Sequence, residues 1–91
     1  MQISFDLNKS EINTVERGLP FDLVEYFDFE TALFSVDDRK DYGEIRIRAL
    51  GLLSGRLHAL VFVETNSGIR VISFRKANTR EVALYEQKIT N

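Results

Sequence analysis

The sequence predicts an α+β fold in which an antiparallel, curled β-sheet packs against two N-terminal helices and a C-terminal helix, in the order β-α-α-β-β-β-β-α. Apolar residues recur at helical spacing near both ends of the chain, and three consecutive segments of its second half are typical of strands joined by tight turns. With 91 residues, 44% of them hydrophobic, the chain has room for one core. Residues 1–91 are therefore expected to form a single domain.

The first strand and helix are predicted from local signals. Gln2–Phe5 alternates polar and apolar residues, as an edge strand does. Asp6 is suited to cap a helix that runs to about Glu16, and Gly18 stands where a left-handed residue would end it. The apolar side of this helix is expected to consist of Ile12, Val15 and Leu19.

A second short helix and the next strand follow. Pro20 fits the first turn of this helix because its fixed φ suits that position. The residues pointing inward are expected to be Phe21, Val24 and Phe27. Asp28–Glu30 is predicted to form a turn and Thr31–Asp37 a strand, and the loop Asp38–Gly43 is the most polar stretch of the protein.

The next three segments are predicted to be antiparallel hairpin strands. Glu44–Leu53 alternates plainly. Its two faces would carry Ile45, Ile47 and Ala49 on one side and Arg46 and Arg48 on the other. Leu57–Thr65 is almost wholly apolar and should be central, and Ile69–Arg75 follows the tight turn at Asn66–Gly68. Such a sheet buries one face under helices and leaves the other partly open.

The last helix is predicted to begin at Asn78, with Glu81 completing a capping box. Its buried stripe would consist of Val82, Tyr85 and Ile89. Arg80 falls in the first turn, where the helix dipole is positive. A cation there is either tolerated at a small cost or serves to hold an anion.

Charge is distributed unevenly along the chain. The net charge is −2, yet residues 20–44 carry a local charge of −6 and residues 45–80 one of +6. The acidic part is a solvated face, a region that repels nucleic acid from one side of the protein, or a surface for a basic partner. The basic part can attract an anion if it occupies a face of its own. The alternation of side chains along a strand puts Arg70 and Arg75 on opposite faces of the last strand. This alternation becomes less regular at Arg75 because the strand ends there.

Composition excludes several kinds of site. There is no cysteine and one histidine, so thiolate and multi-histidine metal sites are excluded. No phosphate loop or dinucleotide fingerprint is present, and no apolar run approaches the roughly 20 residues that cross a bilayer. We expect a cytoplasmic protein with no cofactor, metal or membrane partner. His58 lies in an apolar strand, and we expect it to be structural rather than a general base.

Three blocks of the sequence, FDLNKSEINTVERG, DYGEIRIRALG and IRVISFRKANTREVALYE, together resemble the BrnT toxins of bacterial type II toxin–antitoxin pairs. The resemblance extends from Ile3 to Glu86 with the blocks in the family's order and spacing. The matching positions are Asp6, Lys9, Asn13, Gly18, Gly43, Glu44, Arg46, Gly51, Arg70, Ser73, Arg75, Ala77 and Glu81. Two departures matter: Glu16-Arg17 replaces the family's Lys-His pair, and Phe5 replaces a tryptophan.

The resemblance implies a RelE-like fold and a ribonuclease that halts translation by cutting RNA, free or on the ribosome. It also implies a BrnA-like, DNA-binding antitoxin that masks the site. DNA would then be contacted only through that antitoxin, and the complex would repress its own operon.

Metal-independent RNA cleavage requires the 2′-hydroxyl to lose a proton, the charged transition state to be stabilised and the leaving oxygen to gain a proton. The predicted catalytic residues are Glu44, Arg46, Arg75 and Arg80. In this hypothesis the arginines stabilise charge, and Glu44 either accepts the proton or orients an arginine. The predicted phosphate-binding residues are Arg70, Arg48, Lys76 and Arg17. No strong general acid is evident, which favours slow cleavage assisted by the ribosome or its context. Because the Lys-His pair is missing, the alternative is a weak or inactive toxin homologue that binds an antitoxin and modulates operon repression.

Overall fold

The computed structural model describes residues 1–90. The elements within this range follow the predicted order. They are β1 (Gln2–Ser4), α1 (Leu7–Arg17), a 3₁₀-helix (Phe21–Tyr26), β2 (Leu33–Val36), β3 (Ile47–Leu53), β4 (Arg56–Glu64), β5 (Gly68–Lys76) and α2 (Thr79–Thr90). The strands form one sheet of order β1-β5-β4-β3-β2, so the α+β prediction is confirmed and the apolar β4 is central.

The prediction of an antiparallel sheet is wrong for β1, which lies parallel to β5 and makes the sheet mixed. Gln2 pairs with Gly68 and Ser4 with Arg70. A Cβ atom at Gly68 would clash with the backbone of Gln2, so a glycine is needed where the two strands approach. The pairs β2–β3, β3–β4 and β4–β5 are antiparallel, as predicted.

Two strands begin later than predicted because aspartate side chains fold the preceding chain into turns. Asp28 accepts hydrogen bonds from the backbone and hydroxyl of Thr31, and β2 begins only at Leu33. Asp41 accepts from the backbone N–H of Gly43 at 2.9 Å, and β3 begins at Ile47 rather than Glu44. Arg46 therefore precedes the strand.

One face of the sheet is covered by α1 and the 3₁₀-helix, and this face holds the main core. Phe21, Val24 and Phe27 are 3%, 0% and 4% exposed, as predicted for inward residues. They pack with Leu60 and Phe74, which have no exposed surface.

The prediction that Ile12 and Val15 point inward is wrong, since they are 56% and 87% exposed. The buried residues of α1 are the polar Ser10 and Asn13. The Asn13 amide donates to the carbonyl oxygens of Leu19 and Phe74, at 2.8 Å in each case. Because buried backbone carbonyls need donors, this helix turns its polar side inward. Its ends are as predicted, with an Asp6 cap and Gly18 at φ 69°.

The second helix, α2, packs on the opposite face over Leu50, Leu57 and Ala59. The predicted capping box is present: Asn78 and Glu81 exchange hydrogen bonds of 2.8 and 2.9 Å. The stripe includes Val82 and Tyr85, but Ile89 is 55% exposed. The prediction for Ile89 is wrong because the apolar cluster beneath the helix extends only as far as Tyr85.

Candidate functional site

The sheet face under α1 and the 3₁₀-helix is here named the covered face. The opposite face, which α2 covers only in part, is named the open face. The open face carries most of the predicted arginines. Arg48 lies opposite Val61, and Arg75 opposite Ala59 in the cluster under α2. Arg70 lies opposite Val63, on the same side of β4 as Ala59. The alternation of the strands therefore places all three arginines on one face.

A β-bulge in β5 explains why Arg70 and Arg75 share this face. Val61 pairs with Ser73 and Phe62 with Val71, so Ile72 is the extra residue. The parity prediction of opposite faces is wrong for this reason. The bulge restores Arg75 to the open face, because one unpaired residue shifts the alternation by one position.

Glu44 joins Arg46 to Arg70. Its carboxylate accepts hydrogen bonds from Arg70 Nη2 at 2.8 and 3.0 Å and from Arg46 Nε at 3.2 Å. The bond from Arg70 is the main cause that lowers the pKa of Glu44, and Arg46 lowers it further. Glu44 is therefore anionic near neutral pH and holds two guanidinium groups that are 24 residues apart in the sequence.

Glu81 fixes Arg75 in a second ion pair. Arg75 Nη1 lies 2.8 Å from Glu81 Oε1, and Nη2 lies 2.9 Å from Oε2. These bonds lower the pKa of Glu81, and the charge of Arg48 adds a smaller effect in the same direction. Because Glu81 also caps α2, the guanidinium of Arg75 is tied to the first turn of that helix.

The loop before β3 brings residues to the site that the sequence alone did not indicate. Arg39 donates to both carboxylate oxygens of the buried Asp37, at 2.7 and 2.8 Å, and lowers the pKa of Asp37 to about 2. The Tyr42 hydroxyl lies 3.3 Å from the same carboxylate. The guanidinium carbon of Arg46 lies 4.1 Å from the centre of the Tyr42 ring. In the sequence, the sign of these contacts is the mixture of acidic and basic residues at positions 37–42. The contacts themselves form only when the loop is folded.

A second group of cations lies where α1 ends. A depression of about 380 Å³ is lined by Arg17, Arg75 and Lys76, together with Glu16 and Leu19. Arg17 Nη1 also donates to Asn13 Oδ1 at 2.9 Å. Arg75 thus belongs to both the open face and this depression. Arg80 is exposed in the first turn of α2 and does not line the depression.

His58 lies on the covered face, away from the arginines of the open face. It is 3% exposed, its Nδ1 lies 2.7 Å from the carbonyl oxygen of Arg56, and its ring lies 5.4 Å from that of Phe74. Burial lowers the pKa of His58. A neutral ring that donates from Nδ1 fits the structural role expected of it.

Two further results concern metals and membranes. Residues 1–90 contain no group of three His, Cys, Asp or Glu side chains placed to hold a metal ion. In the same range, no helix has both the length and the apolar character needed to cross a bilayer.

The fold and the site define a small α+β protein with an arginine-rich sheet face suited to phosphate groups. A family model described as the ribonuclease toxin BrnT of type II toxin–antitoxin systems matches residues 5–81. The chain therefore belongs to the BrnT toxin family, and the resemblance seen in its three sequence blocks is confirmed. No curated protein and no solved structure matches it significantly.

Proposed function

We propose that the chain is the toxin of a type II toxin–antitoxin pair. In this proposal it cuts RNA on its open face without a metal ion, and the loss of intact RNA inhibits translation. A RelE-like arrangement of the fold and a BrnA-like antitoxin belong to the same proposal. The observation that carries it is the gathering of Arg48, Arg70 and Arg75 on one face, with Arg46 attached through Glu44, in a chain of the BrnT family.

The proposed reaction is attack of a 2′-hydroxyl oxygen on the adjacent phosphorus. The bond from phosphorus to the 5′-oxygen breaks, leaving a 2′,3′-cyclic phosphate and a 5′-oxygen that takes up a proton from solvent to become a hydroxyl. Arg46 and Arg75 would stabilise the dianionic transition state, and Arg80 would add a cation at the positive end of α2. Arg70, Arg48, Lys76 and Arg17 would hold neighbouring phosphates.

The role of Glu44 in this reaction is to hold Arg46 and Arg70. A general base works best when its pKa is near the working pH, whereas hydrogen bonds from the two arginines lower the pKa of Glu44. The 2′-hydroxyl proton then passes to solvent or to a group of the ribosome.

A second candidate function is a protein-interaction module that binds an antitoxin without cutting RNA. The ion pairs favour it, because Glu44 and Glu81 already neutralise part of the charge that RNA would use. The pair Glu16-Arg17, which replaces a Lys-His pair, also supplies no imidazole.

Induction of the chain alone in cells tests both functions, with growth and RNA integrity as readouts. We expect the wild type to stop growth and fragment RNA, and Arg75→Ala or Arg80→Ala to abolish both effects while remaining folded. Arg56→Ala is the matched control, because Arg56 is an exposed arginine at the start of β4, on the covered-face side. Full toxicity of both folded variants would contradict the site assignment. An inert wild type that still binds its antitoxin would favour the interaction module.

A further inference from the structure

The strand β2 forms an edge of the sheet with unused backbone groups. The N–H of Asp37 donates to the carbonyl oxygen of Arg46 at 2.8 Å. The backbone N–H and C=O groups of the odd-numbered residues of this segment therefore point towards β3. The N–H and C=O groups of Phe34 and Val36 have the other parity and point to the side where residues 1–90 supply no strand. Leu33–Val36 contains no lysine or proline of the kind that protects edge strands.

Apolar surface flanks this edge on both faces of the sheet. Phe34 and Val36 are 52% and 59% exposed on the covered-face side. On the open-face side, a groove of about 330 Å³ separates β2 from α2. Its lining includes Leu33, Leu50, Leu84 and Arg48. A strand added to β2 would therefore bury apolar side chains on both of its own faces.

Acidic residues outnumber basic ones at the two ends of β2, although Lys40 follows the strand and Arg48 and Lys88 line the groove. Asp28 and Glu30 precede β2, and Asp38 and Asp41 follow it; none of the four forms an ion pair within residues 1–90. Arg39, the nearest arginine after the strand, already forms an ion pair with Asp37. A partner segment that carries basic residues at both ends would complement these carboxylates.

We infer that β2 is the docking edge for an extended segment of the antitoxin, a continuous apolar run with lysine or arginine at each end. This inference rests on the proposed function for the existence of an antitoxin. The segment adds a strand to the sheet through the backbone groups of Phe34 and Val36. In the groove it also reaches Arg48, so docking covers one side of the proposed RNA site.

The test measures binding of the full chain to the protein encoded by the adjoining antitoxin gene. Val36→Pro removes an outward N–H that the β2–β3 ladder does not use, and Val36→Lys places a cation on the edge. Val15→Lys makes the same change at an 87% exposed valine of α1 and is the matched control. Amide hydrogen exchange of Phe34 and Val36 is measured with and without the antitoxin.

We expect both Val36 variants to lose at least about tenfold in antitoxin affinity and the Val15 control to stay within about twofold of wild type. The amides of Phe34 and Val36 should become protected in the complex. Unchanged affinity of the folded Val36 variants, or unprotected amides, would overturn the inference. So would a dimer of the chain alone that Val36→Pro dissociates without affecting antitoxin binding, because the occupant would then be a second copy.

RNA cleavage by the free variants separates this inference from the proposed function. Cleavage by Val36→Lys at the wild-type rate, together with weak antitoxin binding, supports docking at β2. Loss of antitoxin neutralisation should follow in cells. A wild-type chain that binds antitoxin through β2 and cuts no RNA would support the docking edge and contradict the ribonuclease.

Discussion

Arg75, near the end of β5, and Glu81, in the first turn of α2, form a bidentate ion pair with N–O distances of 2.8 and 2.9 Å. The same carboxylate accepts the backbone N–H of Asn78 and so caps the helix. Since the bulge at Ile72 sets the direction of Arg75, the position of this guanidinium depends on the sheet register, the bulge and the helix cap together.

A double-mutant cycle with Arg75→Gln and Glu81→Gln should give a coupling free energy of about 1 kcal/mol, because the pair is bidentate but partly exposed. The free energies of unfolding in urea supply the measurement. High salt should reduce the coupling. A coupling indistinguishable from zero at low salt would show that the pair is not maintained in solution.

Glu44→Gln should slow RNA cleavage by less than about tenfold, since the proposed role of Glu44 is to orient Arg46 and Arg70. Loss of a general base costs on the order of 100-fold or more. Single-turnover rates on RNA, measured across pH, distinguish the two roles. A loss above about 100-fold with a vanished acidic limb of the pH profile would identify Glu44 as the base instead.

Asp37→Asn should destabilise the chain in a pH-dependent manner. The pKa of Asp37 is lowered from 3.8 to about 2, so its carboxylate contributes full stability above about pH 4 and loses that contribution as the pH falls towards 2. Thermal unfolding of wild type and variant between pH 2 and pH 7 should therefore show a difference that shrinks on acidification. A difference that is constant over this range would contradict the assigned role.

Asn13→Ala should cost about 2–3 kcal/mol of unfolding free energy, because the buried carbonyl groups of Leu19 and Phe74 lose their shared donor. Ile12→Ala, in the same helix, should change it by less than about 0.5 kcal/mol since Ile12 is exposed. Chemical denaturation of both variants gives the comparison. The reverse ranking would mean that α1 packs through its apolar side after all.

The local signals of the sequence predicted the element order, the Asp6 cap, the Gly18 terminus and the capping box from Asn78 to Glu81. These features depend on neighbours within a few residues, so spacing is enough to recognise them. The orientation of α1 was not predictable in this way. It depends on the carbonyl of Phe74, which lies 61 residues from Asn13.

The arginines of the candidate open-face site were predictable from the sequence, whereas their geometry and the contributions of Arg39 and Tyr42 were not. The arginines were visible as a basic stretch, but parity along β5 misled because the bulge depends on pairing with β4. The contact of Glu44 with Arg70 spans 26 residues, and the loop that brings Tyr42 to Arg46 has no repeating pattern. Such relationships arise from strand register, which a single sequence does not specify.

Cleavage of a synthetic RNA by the purified chain, offered both free and on translating ribosomes, tests the ribonuclease proposal most directly. We predict fragments that end in 2′,3′-cyclic phosphate, about 100-fold slower cleavage by Arg46→Ala and Arg75→Ala, and an unchanged rate for Arg56→Ala. A wild-type chain that leaves both substrates intact, or folded Arg46 and Arg75 variants that cut at the wild-type rate, would contradict it.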